Sequence, residues 1–265
     1  MMLFLLGAAA TGLFAGVIAG LFGVGGGVII VPALLALYTW RGVDASIMMQ
    51  LAVGTSLATI VITNLSAVWH HHKRGAVRWD LATWFVPGVL LGALGGAVAA
   101  AHIDGAALKT AFGAFVGIIG VKMLLNIGEN GRVTWRPSAW AQSALGGVIG
   151  GVSALFGIGG GTMSVPTLTI LMRASMREAV ATSSALGVGI ALLGAMAFMQ
   201  QGWDAAALPP GSWGYVSWLT GLGVVAGTLI TTPVGVKLAH KLDQTLLKRA
   251  FGVLLVIMSY KLMFA

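Results

Sequence analysis

Ten apolar segments, separated by short polar or glycine-rich stretches, form the hydrophobic pattern of the chain. A helix needs about 20 residues to cross the hydrocarbon core, and most of the segments reach that length. The second segment of each half has only about 11 residues, which suits a half-helix or a re-entrant arm. The pattern predicts an all-α integral membrane protein, a polytopic helical bundle of about eight full spans plus short half-helices. The segments lie at residues 3–22, 28–38, 46–69, 81–101, 107–125, 139–156, 162–172, 176–199, 213–236 and 246–264.

The two halves of the chain carry the same motifs at matching positions. Leu-Phe-Gly-Val-Gly-Gly-Gly-Val at 21–28 recurs as Leu-Phe-Gly-Ile-Gly-Gly-Gly-Thr at 155–162, and Val-Pro follows both copies. Gly-Thr-Ser-Leu at 54–57 recurs as Ala-Thr-Ser-Ser at 181–184. Self-similarity of this kind indicates an internal duplication. We therefore expect one membrane domain with a first transmembrane repeat at 1–125, a cytoplasmic linker at 126–138 and a second transmembrane repeat at 139–265.

The distribution of Lys and Arg predicts that the two repeats have inverted topology, because short cytoplasmic loops are enriched in these residues. Suppose that the first two segments of each half form a hairpin that ends on the side where it began. One side then holds all but three of the 15 basic residues. If the two segments form one broken span instead, the two sides hold nearly equal numbers. The hairpin gives each half an odd number of segments, so the halves are inverted and both termini lie outside the cytoplasm.

Composition narrows the possible functions. The chain is 58% hydrophobic and 8% charged, whereas soluble domains have about 25% charged residues. The absence of cysteine excludes disulfides and thiolate metal sites. The net charge of +8 resides in short loops, which indicates control of topology and no nucleic-acid partner. No set of reactive side chains predicts an enzyme, and no cofactor is expected.

Three consecutive histidines, His70, His71 and His72, are the one feature that suggests a metal site. Adjacent side chains on a helix point about 100° apart, so three in a row rarely converge on one ion. Basic residues follow at Lys73 and Arg74, which favours a cytoplasmic cap on a helix. We expect no bound metal.

The paired glycine clusters are the candidate binding site. No Asp or Glu lies in the middle of an apolar segment, so the polar groups left inside are Gly, Ser, Thr, Asn and Gln. Corresponding breaks in two halves are typical of a transporter's binding site. A helix that starts after such a break offers free N–H groups and a positive dipole end, which suit a small oxyanion. The candidate substrate-binding residues are Gly23, Gly25, Gly26, Gly27, Thr55, Ser56, Asn64, Gly157, Gly159, Gly160, Gly161, Thr182 and Ser183.

Close packing is the alternative explanation for these residues, since small residues let membrane helices approach each other. Gly92-Ala-Leu-Gly-Gly96 and Gly223-Val-Val-Ala-Gly227 are interpreted as packing surfaces of this kind. The Thr-Ser pairs at 55–56 and 182–183 fit either explanation.

The doubled Leu-Phe-Gly-[Val/Ile]-Gly-Gly-Gly…Val-Pro motif resembles the TauE/SafE sulfite exporter family of bacterial membrane transporters. The Thr-Ser segments and the His-Lys-Arg-Gly-Ala-Val-Arg-Trp stretch at 72–79 share this likeness, which covers nearly the whole chain. The resemblance implies a permease of the bacterial cytoplasmic (inner) membrane for sulfite, sulfonates or related organic anions. The site residues it implies are Gly23, Gly25, Gly26, Gly27 and Pro32, with Gly157, Gly159, Gly160, Gly161 and Pro166.

We therefore expect a multi-pass transporter that exports a small sulfur-containing anion by alternating access. A passive anion channel, or a carrier of another small organic anion such as a carboxylate, is the alternative. Besides the anionic substrate and the lipid bilayer, possible partners are a coupling ion, H⁺ or Na⁺, and further copies of the chain in a homo-oligomer.

Overall fold

The computed structural model describes residues 2–22, 26–125, 137–206, 208–239 and 244–264. Within these ranges the chain forms ten α-helices and one two-stranded antiparallel ribbon. The helices of the first half are α1 (Met2–Phe22), α2 (Gly27–Arg41), α3 (Ala45–Lys73), α4 (Trp79–His102) and α5 (Gly105–Leu124). Those of the second half are α6 (Ala139–Phe156), α7 (Gly161–Ile170), α8 (Met176–Gln201), α9 (Trp218–Ala239) and α10 (Gln244–Phe264). The strands β1 (Ser212–Trp213) and β2 (Val216–Ser217) lie between α8 and α9. Each predicted segment therefore corresponds to one helix.

Six helices of the described chain are long and apolar enough to cross a membrane, namely α3, α4, α5, α6, α8 and the Trp218–Gly235 part of α9. Shorter apolar stretches lie in α1, α2 and α10. The helices α2 and α7 have 15 and 10 residues, so the second segment of each half is short, as the pattern predicted. The polytopic helical membrane fold is confirmed, and the count of eight full spans stays a prediction.

Polar side chains at the helix starts explain where several helices begin. Asp44 accepts a hydrogen bond from the Ser46 N–H at the start of α3. Asp104 accepts from the first N–H groups of α5. Ser175 and Glu178 form a capping box at the start of α8. Each side-chain oxygen satisfies an N–H group that has no partner within its own helix. These acids lie at helix ends, as the sequence predicted.

Glycine faces determine which helices of the two halves pair. A Cβ on Gly92 or Gly96 of α4 would overlap the backbone of α6 at Gly147 and Gly151, respectively. The contacts advance in the same direction along both helices, so α4 and α6 are parallel. The interpretation of the Gly92–Gly96 stretch as a packing surface is therefore confirmed at both of these glycines, and Gly95 faces open space.

The helices α1 and α9 pack against each other in the same way. Gly12 of α1 lies against the backbone of Val224, and Gly16 lies against Thr228. Gly227 of α9 contacts the backbone of α1 in turn, which confirms its role in packing. Close backbone approach of this kind is how membrane helices associate through small residues. Under the duplication, α4 with α6 is equivalent to α9 with α1.

The equivalent helices α3 and α8 are the two most buried spans and pack against each other at the centre of the bundle. Gly54 of α3 contacts Phe198 of α8, while Asn64 lies against Gly187. The contacts advance in opposite directions, so these two helices are antiparallel. The pair α5 and α10 is antiparallel as well, because Gly113 contacts Met263 and Gly120 contacts Gly252.

The apolar segment predicted at 213–236 does not begin as a helix, so that boundary is wrong. Ser212 pairs with Ser217 and Trp213 with Val216 in the β1–β2 ribbon, and α9 starts only at Trp218. Gly211 and Gly214 have φ of +81° and +55°, which glycine adopts far more readily than other residues. The serines and glycine of 212–217 make this stretch less apolar than α9, and its glycines are the sequence signal for the turn.

Exposed tryptophans lie near the helix ends. Trp40 and Trp69 stand near the ends of α2 and α3, and Trp79 and Trp140 near the starts of α4 and α6. Tryptophan is enriched at membrane–water interfaces, where its apolar ring and polar N–H are both accommodated. Their placement agrees with a bundle embedded in a bilayer.

Candidate functional site

Both described glycine breaks use the same backbone geometry to start a short helix. Gly26 has φ of +78° and precedes α2, and Gly160 has φ of +83° and precedes α7. The Gly26 carbonyl accepts hydrogen bonds from the N–H groups of Ile29 and Ile30. The Gly160 carbonyl accepts from the equivalent residues of α7, Met163 and Ser164. A left-handed glycine therefore caps each short helix.

The two breaks meet at the centre of the bundle. A Cβ on Gly27 would overlap the Gly157 carbonyl oxygen and lie 2.9 Å from the Ile158 Cα. Ser56 of α3 donates a hydrogen bond of 2.8 Å to the same Gly157 carbonyl. Ile60, one turn further along α3, contacts both Gly27 and Gly159. The structure thus brings residues of the two glycine motifs and α3 together.

The surroundings of the two breaks differ in polarity. Beside Gly160 lie the hydroxyl groups of Ser153 and Ser164, and beside Gly159 lies the Asn64 amide. The atoms nearest to Gly26 belong to Ala15, Ala19 and Ile30. The second break is therefore the more polar of the two in the described part of the chain.

Thr55 faces a buried group of hydroxyls instead of a glycine break. Its Oγ1 accepts a hydrogen bond of 3.2 Å from the Tyr38 hydroxyl and one of 2.9 Å from the Ser217 N–H. Ser217 and Thr220 share a further hydroxyl hydrogen bond of 2.8 Å. These contacts fix the β1–β2 ribbon and the start of α9 to α3.

Thr182 makes the equivalent contact at the other end of the α3–α8 pair. Its Oγ1 accepts a hydrogen bond of 3.0 Å from the Arg78 N–H, in the loop between α3 and α4. Arg78 also pairs with Asp80 at 2.6 Å and with Glu178 at 3.4 Å. Asp80 raises the pKa of the Arg78 guanidinium, so this side chain stays charged at physiological pH.

The loop between α3 and α4 and the β1–β2 ribbon share a repeated sequence that was not among the predicted motifs. Gly75-Ala-Val-Arg-Trp79 and Gly214-Tyr-Val-Ser-Trp218 share the pattern Gly-x-Val-x-Trp. In both copies the glycine has positive φ and the valine is buried. The N–H of the fourth residue bonds to a threonine of the other half. Alignment of the halves beyond the transmembrane motifs would have found this signal. We call Thr55–Ser217 and Thr182–Arg78 the two latches.

Not every predicted site residue joins the breaks. Ser56, Asn64, Gly26, Gly27 and the second glycine cluster lie together, whereas the hydroxyls of Thr55 and Thr182 bond to the latch loops. Ser183 is buried beside Thr182 in α8. Gly23 and Gly25 lie outside the described residues, as do residues 126–136 of the predicted linker.

A cleft accompanies each latch, and the two clefts differ in size. The cleft between α4 and α8 has a volume of about 280 Å³ and is lined by Trp79, Val86 and Ala185, among others. The cleft between α9 and α3 has about 10 Å³ and is lined by the equivalent Trp218, Val225 and Ala58. The cleft beside the Thr182–Arg78 latch is therefore the larger of the two.

The described residues contain no group of three or more His, Asp or Glu side chains placed to hold a metal ion. His70 contacts the Ser66 carbonyl through Nδ1, at 2.7 Å. His72 accepts a hydrogen bond from the Trp79 indole N–H at 3.2 Å. Two of the three histidines are thus engaged at the end of α3.

Comparison with known proteins identifies the family. The TauE family model, described as sulfite exporter TauE/SafE, matches residues 8–262. A "Probable membrane transporter protein" of Haemophilus influenzae is 33% identical, with 94% of each chain covered. The "Probable membrane transporter protein YunE" of Bacillus subtilis is 27% identical, with 96% of this chain and 95% of that protein covered. No solved structure matches the chain. The chain belongs to the TauE/SafE family and is a membrane transporter rather than an enzyme.

Proposed function

We propose that this transporter exports a small sulfur-containing anion, such as sulfite or an organosulfonate, across the bacterial cytoplasmic membrane. The substrate site lies between two inverted repeats, at the paired glycine breaks, and opens alternately to the two sides. The family description supports the cargo class. The chemistry of the site supports an anion, because helix N-termini and hydroxyl groups are donors without a buried acid beside them.

The contact between the two breaks carries this proposal. Gly27 at the start of α2 packs on Gly157 and Ile158 just before α7, and Ser56 bridges to the same carbonyl. Two short helices therefore begin next to each other at the interface between the halves. Broken helices that meet at a repeat interface are the arrangement in which secondary transporters bind their substrates.

Helix directions support the inverted topology. The central helices α3 and α8 are equivalent and antiparallel, as are α5 and α10. The helix α1 is parallel to α9, and α9 is parallel to α3, because Gly221 lies against Thr59 and Ser217 against Thr55. Parallel α1 and α3 require α2 to return toward the side where α1 began. These directions support the hairpin arrangement, and the distribution of basic residues supports both termini outside the cytoplasm.

The unequal clefts support alternating access. Equivalent residues line both clefts, yet the volumes are about 280 Å³ and about 10 Å³. An inverted repeat whose halves adopt unlike conformations opens to one side, and exchange of the two conformations opens it to the other. The latches lie at the two ends where this exchange would occur.

The membrane potential favours export as the direction. Moving one charge through 100 mV is worth about 2.3 kcal/mol, so an anion leaves a negative-inside cell downhill. Uptake would need coupling to a cation such as H⁺ or Na⁺.

Counterflow in proteoliposomes tests the proposal. Vesicles that contain the purified protein and unlabelled sulfite are diluted into a trace of labelled sulfite, with acetate-loaded vesicles as the control. A carrier for sulfur oxyanions gives a transient, saturable accumulation of label in the sulfite vesicles. Uptake that rises linearly without counterflow indicates a passive anion channel. Counterflow of carboxylates but not of sulfite or sulfonates would show that the protein is a carrier of carboxylates.

A further inference from the structure

Two buried donors point at the second glycine break and have no hydrogen-bond partner among the described residues. Asn64 is 4% exposed, and its Nδ2 lies 3.3 Å from the position that a Cβ on Gly159 would take. Ser153 is 1% exposed, and its Oγ lies 3.9 Å from the same position on Gly160. Neither atom hydrogen-bonds to a described residue. A buried polar atom without a partner is unfavourable, and a native example needs an explanation such as a ligand.

Backbone donors face the same place. The helix α7 starts at Gly161, and its first two N–H groups, of Gly161 and Thr162, take part in no hydrogen bond between described residues. The positive end of a helix dipole and free N–H groups together favour an anion. Side chains from α3 and α6 thus converge with the N-terminus of α7.

The first glycine break lacks counterparts of these two side chains. Ser153 stands four residues before Gly157, and the residue four before Gly23 is Ala19. Asn64 follows the Thr-Ser pair at 55–56, and the residue at the same distance from the pair at 182–183 is Ala191. Ala19 is also one of the groups nearest to Gly26. Both polar positions of the second break therefore correspond to alanine.

We propose that only the second break binds the oxygen atoms of the substrate, and that Asn64 and Ser153 are its specificity-determining residues. The first break packs against it and transmits the conformational change. This inference rests on the proposed function and names the donors of that site. Two side-chain donors and two backbone N–H groups match the several oxygens of a sulfite or sulfonate group. A carboxylate has two oxygens in one plane and engages fewer of these donors.

Binding measurements on purified protein in detergent test the inference. Sulfite and acetate affinities are measured by calorimetry for the wild type, Asn64→Ala and Ser153→Ala. Each substitution installs the residue that the chain carries at the equivalent position of the other half. Gln50→Ala and Ser259→Ala serve as matched controls, because they remove a buried amide and a buried hydroxyl that contact α5 or the turn before it. Ala19→Ser adds a hydroxyl beside Gly26 and tests the first break directly.

We expect Asn64→Ala and Ser153→Ala each to weaken sulfite binding at least tenfold, with acetate binding changed less. The controls and Ala19→Ser should stay within twofold of the wild type. The unliganded melting temperatures of Asn64→Ala and Ser153→Ala should fall no more than those of the control variants, since the deleted Nδ2 and Oγ have no hydrogen-bond partner among the described residues. Wild-type sulfite affinity in both variants would overturn the inference and leave the proposed function standing. Failure of the wild type to bind any sulfur oxyanion would overturn both.

Discussion

The two glycine breaks share a backbone and differ in what surrounds it. Gly26 and Gly160 have nearly the same φ, and each carbonyl caps a short helix through equivalent N–H groups. Around the second break lie Ser153 and Asn64, while the described atoms nearest to Gly26 belong to Ala15, Ala19 and Ile30. The two breaks therefore share their backbone geometry and differ in their lining. We propose that the shared geometry serves the assembly of the two halves and that the more polar lining assigns substrate binding to the second break.

The largest expected effect comes from a β-branched residue at either left-handed glycine. Gly26→Val and Gly160→Val force a side chain into positive φ, at a cost of about 1–3 kcal/mol. At Gly160 the Cβ would also lie 2.7 Å from the Ile190 Cδ1. Both variants should insert into the membrane and lose transport. Only Gly160→Val should also lose sulfite binding. Transport is measured by counterflow and binding by calorimetry, so the two variants distinguish the roles of the two breaks.

Gly95→Val is the control for both variants, because no atom lies within 4 Å of its Cβ position. It should transport at nearly the wild-type rate. Near-normal transport by Gly26→Val and Gly160→Val would remove the breaks from the mechanism.

A smaller difference is expected between the latches. Thr55→Val leaves the buried Ser217 N–H without its acceptor and removes one hydrogen bond of the Tyr38 hydroxyl, whereas Thr182→Val removes one hydrogen bond from the half-exposed Arg78 loop. Leaving a buried donor unpaired costs about 1–3 kcal/mol. Thr55→Val should therefore lower the melting temperature more than Thr182→Val. An equal drop in thermal unfolding would mean that the two latches contribute similarly, and a reversed order would mean that the Thr182 latch contributes more.

The smallest effect is expected at the Arg78 side chain. Its N–H forms the latch, and its guanidinium forms ion pairs in which both partners are substantially solvent-exposed. Exposed ion pairs contribute about 0–1 kcal/mol. Arg78→Ala should change the free energy of unfolding by less than about 1 kcal/mol, and added salt should shrink the difference further. A loss as large as that of Thr55→Val would assign the guanidinium a role beyond the latch.

Hydropathy predicted the helices well because the membrane fixes their length and composition. All ten segments became helices, and the two short ones begin at the glycine breaks. Caps at Asp44, Asp104 and Ser138 lie in the polar gaps of the pattern. The local sequence was enough to predict these helices and their caps.

The hydrophobic pattern could not predict which helices pack together or which residues line the site. The pairing of α4 with α6 depends on the shape of glycine faces at Gly92 and Gly147, which hydropathy does not register. Ser153 lies within an apolar segment and is recognisable only once α6 is placed beside Gly160. Thr55 and Thr182 were selected from a repeated motif, yet their partners lie in loops distant in sequence. Contacts between distant segments decided each of these points.

Locating selenite in crystals of the protein tests the central claim most directly. Selenite has the pyramidal shape and the oxygen acceptors of sulfite, and selenium gives an anomalous signal that marks its position. We predict a single peak at the start of α7, with selenite oxygens in hydrogen-bonding reach of Asn64 Nδ2 and Ser153 Oγ. A peak at the start of α2 beside Gly26, or equal peaks at both breaks, would contradict the assignment of binding to the second break.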